Sequence, residues 1–337
     1  VDDGPVKYII LSHAHSDHRG AYKWWKEEGQ EIIAHSEFPR VQKYLMDLAE
    51  FQWDRNKTWY GGVMPEDPPA PGSFLYGDPA EPTILVNDQY SFTLGGIRFE
   101  VIATPGAEGI DSVCLWLPDY GALFTGDFFG PLFPMFPNLN TIRSEPIRDP
   151  IRYIDSLNRL LELEPEVIIP SHLYPIKGKE RIREGMLLTR DAVQYVYDQM
   201  VAGMNAGTDV YTLMEEISLP PELQIHEGHG KVTWGVRAIY ELYQGWLYFQ
   251  STADLYTVPP TDVYPDIVDM AGGPDAVATR ATDLFATGAP LEALRLVEMA
   301  LAAEPENQAA LQVQLDVLEL LLDESGAGSG HENFSDV

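Results

Sequence analysis

Three histidines and an aspartate crowd into one short run, His13-Ala14-His15-Ser16-Asp17-His18. The run directly follows residues 6–11, whose Ile and Val content is typical of a buried strand. Desolvating that many imidazole and carboxylate groups without a partner would cost several kcal/mol. A divalent metal is such a partner, and this donor set suits zinc, iron or manganese better than magnesium or calcium. The run therefore predicts a metal site at the end of a strand.

The remaining pattern divides the chain into two parts. Strand-like segments alternate with helical ones as far as residue 178, which favours an α/β domain. From residue 179 to residue 324 the pattern is helical throughout, which predicts an all-α domain. Residues 325–337 are acidic and rich in Gly and Ser, and we expect them to be disordered.

Charge and hydropathy exclude some classes of partner. The chain carries 52 acidic and 22 basic side chains, a net charge of -30, which would repel a nucleic acid. An anionic substrate would therefore need a locally basic site. No apolar run approaches the roughly 20 residues that span a bilayer, so no membrane span is expected. The only cysteine, Cys114, is predicted to be a buried strand residue.

Four separated motifs resemble the metallo-β-lactamase superfamily. The run at residues 13–18 matches its HxHxDH signature, and the other motifs follow in the family's order: Thr104-Pro105-Gly106, Thr125-Gly126-Asp127 and Pro170-Ser171-His172. The resemblance implies an αββα sandwich for residues 1–178. The family has further strands before its signature, and few residues precede it here. We therefore expect those N-terminal strands to be missing. The sequence does not decide the compartment: the protein is bacterial and cytoplasmic, or it is periplasmic or secreted if an upstream signal was removed.

One departure points to a particular branch of the family. Where the superfamily has a histidine after its TPG turn, this chain has Glu108, as the alkyl sulfatase branch does. Segments of the helical half also resemble that branch, at residues 239–246, 259–260, 270–273 and 294–308. The resemblance implies that residues 179–324 are a dimerisation domain and that the protein is a homodimer.

The resemblance also implies a set of metal ligands. His13, His15 and Glu108 would hold one ion, and Asp17, His18 and His172 would hold the other. Asp127 would bridge the two ions, which are divalent, with zinc as the default. A water or hydroxide between them would be the nucleophile. Asp17 and Asp127 are thus the predicted catalytic carboxylates.

The substrate side of the site is less closely matched. The branch has Glu at the bridging position, whereas this chain has Asp127. Arg143 matches an arginine of the branch that could bind a sulfate or phosphate, with an exposed surface arginine as the alternative. Phe129 belongs to a Phe-rich stretch that either lines an apolar substrate pocket or forms ordinary core.

A leaving alkoxide requires a proton donor. His229 is the predicted general acid and His226 a predicted substrate-binding residue, just before a helix expected from about residue 231. The alternative is that both belong to a loop with no catalytic part.

These inferences predict a binuclear metal-dependent hydrolase of alkyl or aryl sulfate esters, acting on a small anionic ester. Two alternatives are retained. One is a metallohydrolase of another ester class, such as a phosphodiester, phosphotriester or β-lactam, and the other is an inactive fragment or binding module.

Overall fold

The computed structural model describes residues 4–59, 66–67, 79–140 and 145–324. The chain forms two compact units, Val1–Tyr243 and Gln244–Val337. The predicted disordered tail at residues 325–337 lies outside the described residues.

A small parallel sheet carries the histidine run. Its strands are β1 (Tyr8–Ile10), β2 (Glu31–His35) and β3 (Ile84–Val86), in the order β1-β2-β3. Both pairs are parallel, with Tyr8 opposite Glu31 and Ile33 opposite Ile84. The helices between these strands are α1 (Ser16–Arg19), α2 (Tyr22–Trp25), α3 (Phe38–Asp47) and α4 (Ala49–Trp59).

A larger mixed sheet contains the other strands of the first unit, in the order β4-β5-β6-β7-β8-β9. The β7–β8 pair is parallel and the other neighbours are antiparallel. The strands are β4 (Gln89–Leu94), β5 (Ile97–Ala103), β6 (Val113–Leu117), β7 (Ala122–Gly126), β8 (Val167–Pro170) and β9 (Ile176–Lys177).

Four further helices belong to this unit: α5 (Pro150–Leu161), α6 (Lys179–Ala206), α7 (Val210–Glu216) and α8 (Val232–Gln244). The start of α5 is encoded locally. Asp149 accepts hydrogen bonds from the backbone N–H groups of Ile151 and Arg152, and Pro150 occupies the first turn, where its missing N–H costs nothing.

Alternating side chains along the strands build the layers. Ile32 and Ala34 of β2 pack against α2 and α3, whereas Ile33 lies in a separate cluster with Val101 and Val113 of the larger sheet. The opposite face of that sheet packs against α5, α6 and α8 in the largest cluster. Two sheets therefore face each other between two helical layers, which confirms the predicted αββα arrangement.

The second unit is helical. Its helices are α9 (Tyr264–Met270), α10 (Pro274–Ala286), α11 (Pro290–Ala303) and α12 (Gln308–Glu324). Small apolar residues such as Ala281, Ala293 and Ala300 are fully buried between them, which allows close helix packing. This confirms the all-helical C-terminal region. The compact first unit includes α6 and α7, beyond residue 178, and the domain boundary at that residue stays a prediction.

None of the helices in the described ranges combines the length and apolar character that crossing a membrane requires.

Candidate metal centre

The histidine run follows β1 as a short loop that ends at His15 and continues into the start of α1. Backbone contacts hold this loop: the Ala14 N–H donates to Asp111 Oδ2 at 2.8 Å, and the buried Arg19 donates through Nε to the Ala14 carbonyl at 2.9 Å. His13 is only 1% exposed, and its Nδ1 lies 3.1 Å from Ser12 Oγ. These contacts pin the backbone between His13 and His15, so that the two imidazoles are presented from a fixed loop. Sequence reasoning missed Asp111.

His13, His15 and Glu108 form the first group of predicted ligands. His13 Nε2 lies 3.0 Å from His15 Nδ1, and Glu108 Oε1 lies 3.6 Å from that same nitrogen. Glu108 comes from the turn after β5. Gly106 gives this turn its positive φ of 92° and packs directly against the backbone of Tyr153 in α5.

Asp17, His18, His172 and Asp127 form the second group. His18 Nε2 lies 3.1 Å from Asp17 Oδ2 and 3.0 Å from Asp127 Oδ2. His172 Nε2 lies 3.5 Å and 3.3 Å from the same two oxygens. Asp127 follows β7 and His172 follows β8, the parallel pair, so both side chains emerge at the same edge of the sheet.

Asp127 also joins the two groups. One ligand atom each from His13, His18 and Asp127 lie within 4.8 Å of one another, and so do atoms of Asp17, His18 and His172. The His13 and His18 rings are 4.2 Å apart between centroids. The structure thus brings all the predicted ligands together, with Asp127 between the groups. Their roles as ligands stay predictions.

Strong electrostatic coupling accompanies this crowding. Burial and the neighbouring His15 hold the pKa of His13 well below its ordinary value. Burial also disfavours charged His18, but Asp127 and Asp17 outweigh it and raise its pKa to about 9. The same carboxylates, Asp127 first, raise the pKa of His172 to about 10. Positive charge is therefore favoured where these two carboxylates meet the imidazoles.

The donor set fits divalent metal ions. Asp127 Oδ1 is buried and has no hydrogen-bond partner among the described residues, while Oδ2 of the same carboxylate contacts His18. Buried polar atoms without partners are costly, and coordination to a cation removes that cost. Imidazole nitrogens with carboxylate oxygens are ligands for zinc and neighbouring transition metals.

Glu145 and Arg148 border the first group, and sequence reasoning missed both. Glu145 Oε1 lies 3.2 Å from His15 Nε2, while Arg148 contacts Glu145 Oε2 at 3.0 Å and Glu108 Oε2 at 2.9 Å. The available signal was the cluster of charged residues immediately before the Asp149 cap of α5.

Phe129 is one of the other predicted site residues that the structure describes. It is buried in the largest core cluster, with its ring 4.9 Å from Phe128 and 5.0 Å from Phe133. This placement favours the interpretation as core, because a ring enclosed by core residues offers little surface to a substrate. Contact with a substrate stays a prediction.

His226 and His229 lie beside the segment that follows Asp127. His226 is exposed, its carbonyl accepts from the Phe136 N–H at 2.8 Å, and it forms a β-bridge with Met135. His229 is half-buried just before α8. Their predicted roles as substrate-binding residue and general acid are neither supported nor excluded by these contacts. Arg143 lies outside the described residues.

Two cavities open onto the ligand groups. One, of about 450 Å³, has Asp17, His18 and His172 in its wall. The other, of about 270 Å³, is lined by His15, Glu108 and Arg148 among others. Asp17 and His172 are themselves exposed, so the second group is open to solvent.

Family models match both halves of the chain. One described as the metallo-beta-lactamase superfamily matches residues 1–172, and one described as alkyl sulfatase dimerisation matches residues 210–334. These matches confirm the family resemblance that the motifs predicted.

Similar proteins include sulfatases. Linear primary-alkylsulfatase from Pseudomonas sp. is 28% identical over 336 residues, which cover 93% of this chain and 62% of the relative. Alkyl/aryl-sulfatase BDS1 from Saccharomyces cerevisiae is 26% identical over 341 residues, which cover 94% of this chain and 52% of the relative. This chain thus spans between about half and two-thirds of the length of these relatives.

Among solved structures, the stereoselective inverting sec-alkylsulfatase Pisa1 from Pseudomonas sp. superposes with a TM-score of 0.81 and 25% identity. The superposition covers 95% of this chain and 54% of that one. The sandwich, the ordered motifs and a superfamily match over more than half of the residues agree with one another. The chain belongs to the metallo-β-lactamase superfamily.

Proposed function

We propose that this chain is a binuclear metal-dependent hydrolase of sulfate esters. The observation that carries the proposal is the convergence of imidazole and carboxylate donors: His13, His18 and Asp127 lie together, Asp17, His18 and His172 lie together, and His15 lies beside Glu108. The similarity to alkylsulfatases over most of the chain supports a sulfate ester as the substrate class.

The donors divide between two ions in this proposal. His13, His15 and Glu108 hold one, Asp17, His18 and His172 hold the other, and Asp127 contacts both. Bound divalent ions would supply Lewis acidity for a sulfate ester and would lower the pKa of water at this site toward neutrality. Zinc is the proposed metal, because imidazole-rich sites favour it.

The chain's own residues then orient the substrate and the water. The exposed His172 and Asp17 leave the second ion accessible from solvent, so an anionic ester can enter from that side. Arg143 is the proposed partner of the sulfate oxygens, since a guanidinium can bind two of them at once. His226 is the second proposed substrate-binding residue.

The leaving alkoxide receives its proton from His229 in this proposal. Positioned general acids contribute about 10²–10⁴ in rate. His229→Gln should therefore lower the turnover of poor leaving groups, such as alkyl alkoxides, much more than that of a nitrophenolate. Equal losses on both substrates would argue against the acid role.

The second unit is the proposed dimerisation element. It exposes large apolar side chains, among them Trp246, Phe249 (81% exposed), Tyr256 and Met270 (79% exposed). Exposed apolar groups of this size are typical of interaction surfaces. Light scattering should give the mass of a dimer, and the Trp246→Ser/Phe249→Ser variant should be monomeric. Leu48→Ser, which alters an exposed leucine of the first unit, is the matched control.

A substrate profile tests the activity. The purified protein, reconstituted with zinc, is assayed on an alkyl sulfate, an aryl sulfate, a phosphodiester, a phosphotriester and a chromogenic β-lactam, with sulfate release measured directly. Sulfate release that chelation abolishes and zinc restores is the expected result. Hydrolysis of only the other classes would assign a different ester, and binding of less than one metal per chain would indicate a non-catalytic module.

Asp127→Asn tests the shared ligand. We expect it to lose one or both ions and at least 10³-fold in rate, because the amide no longer supplies an anionic bridge. Asp155→Asn, an exposed change in α5, is the matched control and should leave metal content and rate unchanged. Full activity of Asp127→Asn with both metals retained would contradict the assignment.

A further inference from the structure

Two side chains outside the proposed ligand set, the buried Arg148 and the largely covered Glu145, complete a closed ring of contacts with His15 and Glu108. The ring runs from His15 to Glu145, from Glu145 to Arg148, from Arg148 to Glu108, and from Glu108 back to His15. Each step lies between 2.9 and 3.6 Å.

The two nitrogens of His15 face different partners. Nδ1 lies 3.0 Å from His13 Nε2 and 3.6 Å from Glu108 Oε1, whereas Nε2 lies 3.2 Å from Glu145 Oε1. A carboxylate can only accept, and of these two carboxylates only Glu145 lies within hydrogen-bond distance of the ring, so the proton of the neutral imidazole belongs on Nε2. This leaves the Nδ1 lone pair directed toward His13 and Glu108. The contact with Glu145 thus selects the tautomer that a metal at Nδ1 requires.

Arg148 connects the two carboxylates. Its Nη1 lies 2.9 Å from Glu108 Oε2, and its Nη2 lies 3.0 Å from Glu145 Oε2. Nη1 also donates to the Asn138 carbonyl at 2.7 Å, and the Arg148 backbone N–H donates to the Leu139 carbonyl at 2.8 Å. Arg148 is therefore held both at its backbone N–H and at its guanidinium group. It holds Glu108 through Oε2, which leaves Oε1 facing His15.

The ring carries two carboxylates close to one guanidinium. Arg148 contacts both Glu108 and Glu145, and all three side chains are no more than 10% exposed. A divalent ion beside Glu108 Oε1 would add positive charge where carboxylates are sheltered from water. The ring is thus compatible with metal binding at its inner side, between Nδ1 and Oε1.

We infer that Glu145 and Arg148 are positioning residues of the metal centre: Glu145 orients His15 through Nε2, and Arg148 orients Glu108 and Glu145 together. This inference rests on the proposed metal-dependent function and names the side chains that support one of its two ions. Ligand atoms of His15, Glu108 and Glu145 lie within 4.8 Å of one another, so direct metal binding by Glu145 is the alternative that the experiment must distinguish.

Metal affinity tests the inference without relying on turnover. Wild type, Glu145→Gln, Arg148→Lys and Arg148→Met are equilibrated with zinc against a graded competing chelator, and bound metal is measured by mass spectrometry. Cobalt-substituted samples give a ligand-field spectrum that reports the geometry of the site. Urea unfolding verifies that each variant is folded. Glu162→Gln, an exposed change at the end of α5, is the matched control.

Removal of a residue that supports a metal ligand typically costs about 10- to 100-fold in affinity. We expect Glu145→Gln to weaken one of two ions by that factor, to leave the other unchanged and to alter the cobalt spectrum. Arg148→Lys should retain more affinity than Arg148→Met, because the lysine ammonium preserves the positive charge. It should still bind more weakly than wild type, because an ammonium cannot contact both carboxylates as the planar guanidinium does.

Three results would overturn the inference. The first is that Glu145→Gln and Arg148→Lys both bind two ions with wild-type affinity and an unchanged spectrum. Complete loss of one ion in Glu145→Gln, beyond about 10³-fold, would make Glu145 a direct ligand instead. Weakening of both ions equally would indicate a general structural effect. A wild type that binds no metal is a separate outcome, which refutes the proposed function itself.

Discussion

Substitution of Gly106 tests whether the position of the turn that carries Glu108 depends on close packing against α5. A Cβ added at Gly106 would lie 2.5 Å from the Tyr153 backbone nitrogen and 2.7 Å from Arg152 Cβ. The first of these atoms belongs to the helix backbone, which cannot move aside without displacing α5. Gly106 also has a φ of 92°, a backbone conformation that residues with a Cβ atom rarely adopt.

The expected loss of stability in Gly106→Ala has two parts. The positive φ costs an alanine about 1–2 kcal/mol. Overpacking against a rigid backbone adds about 1–3 kcal/mol. The free energy of unfolding should therefore fall by about 2–5 kcal/mol. Because Glu108 is two residues away, a displacement of about 1 Å should also lower activity on the order of 10²-fold.

Gly95→Ala separates these two parts. Gly95 lies in the turn between β4 and β5 with a φ of 59°, and a Cβ added there meets no heavy atom within 4 Å. Both substitutions reduce the entropy of the unfolded chain equally, so that contribution cancels in the comparison. The free energy of unfolding of Gly95→Ala should fall only by the contribution of backbone strain, and its metal content and rate should equal those of wild type.

Urea unfolding of both variants, metal analysis and sulfate release together check this prediction. If Gly106→Ala is no less stable than Gly95→Ala and keeps both metals, the close approach of the turn to α5 does not constrain the site, and the reasoning fails.

Three other predictions concern buried groups. The Tyr153 hydroxyl is buried and has no hydrogen-bond partner in the described part of the chain, so Tyr153→Phe should raise the free energy of unfolding by about 1 kcal/mol in urea titrations; a loss of that size would reveal an unseen partner. In metal-free protein the pKa of His18 is raised to about 9. Protonated His18 therefore contributes its full amount to the free energy of unfolding below about pH 6.5, and this contribution is lost as the pH rises through 9. The melting temperature of chelator-treated wild type should fall across that window more steeply than that of His18→Gln, and parallel curves would contradict the shift. Burial raises the pKa of Cys114 to about 12, so the native protein should resist a thiol reagent at pH 8 and react only on unfolding; rapid native labelling would be inconsistent with this burial.

Much of the fold was accessible from the sequence because its patterns are local. Apolar residues marked β5, a continuous apolar run marked β6, and the histidine run after β1 marked the edge where the predicted ligands gather. Two short elements were not predicted from the sequence: β9, which has two residues, and α9, which has seven residues in an irregular stretch. Segments of that length carry too little periodicity to be distinguished from loops.

The site was accessible to a different degree. The predicted ligands His13, Glu108 and His172 were expected from motifs, and the structure gives each of them other donors nearby. Glu145 and Arg148 belong to no motif, and their importance arises only from tertiary contacts with residues far apart in the chain. A buried arginine cannot be recognised from sequence, because arginine is usually exposed.

The donors of the proposed metal centre follow β1, β5, β7 and β8, which belong to two different sheets. Ions bound there would act as cross-links that close long segments of chain, as a disulfide does. Their effect on the lifetime of the native state should exceed their effect on its shape, because unfolding must first release the ions. Metal supply in the cell would then govern how long the protein survives proteolysis, besides whether it is active.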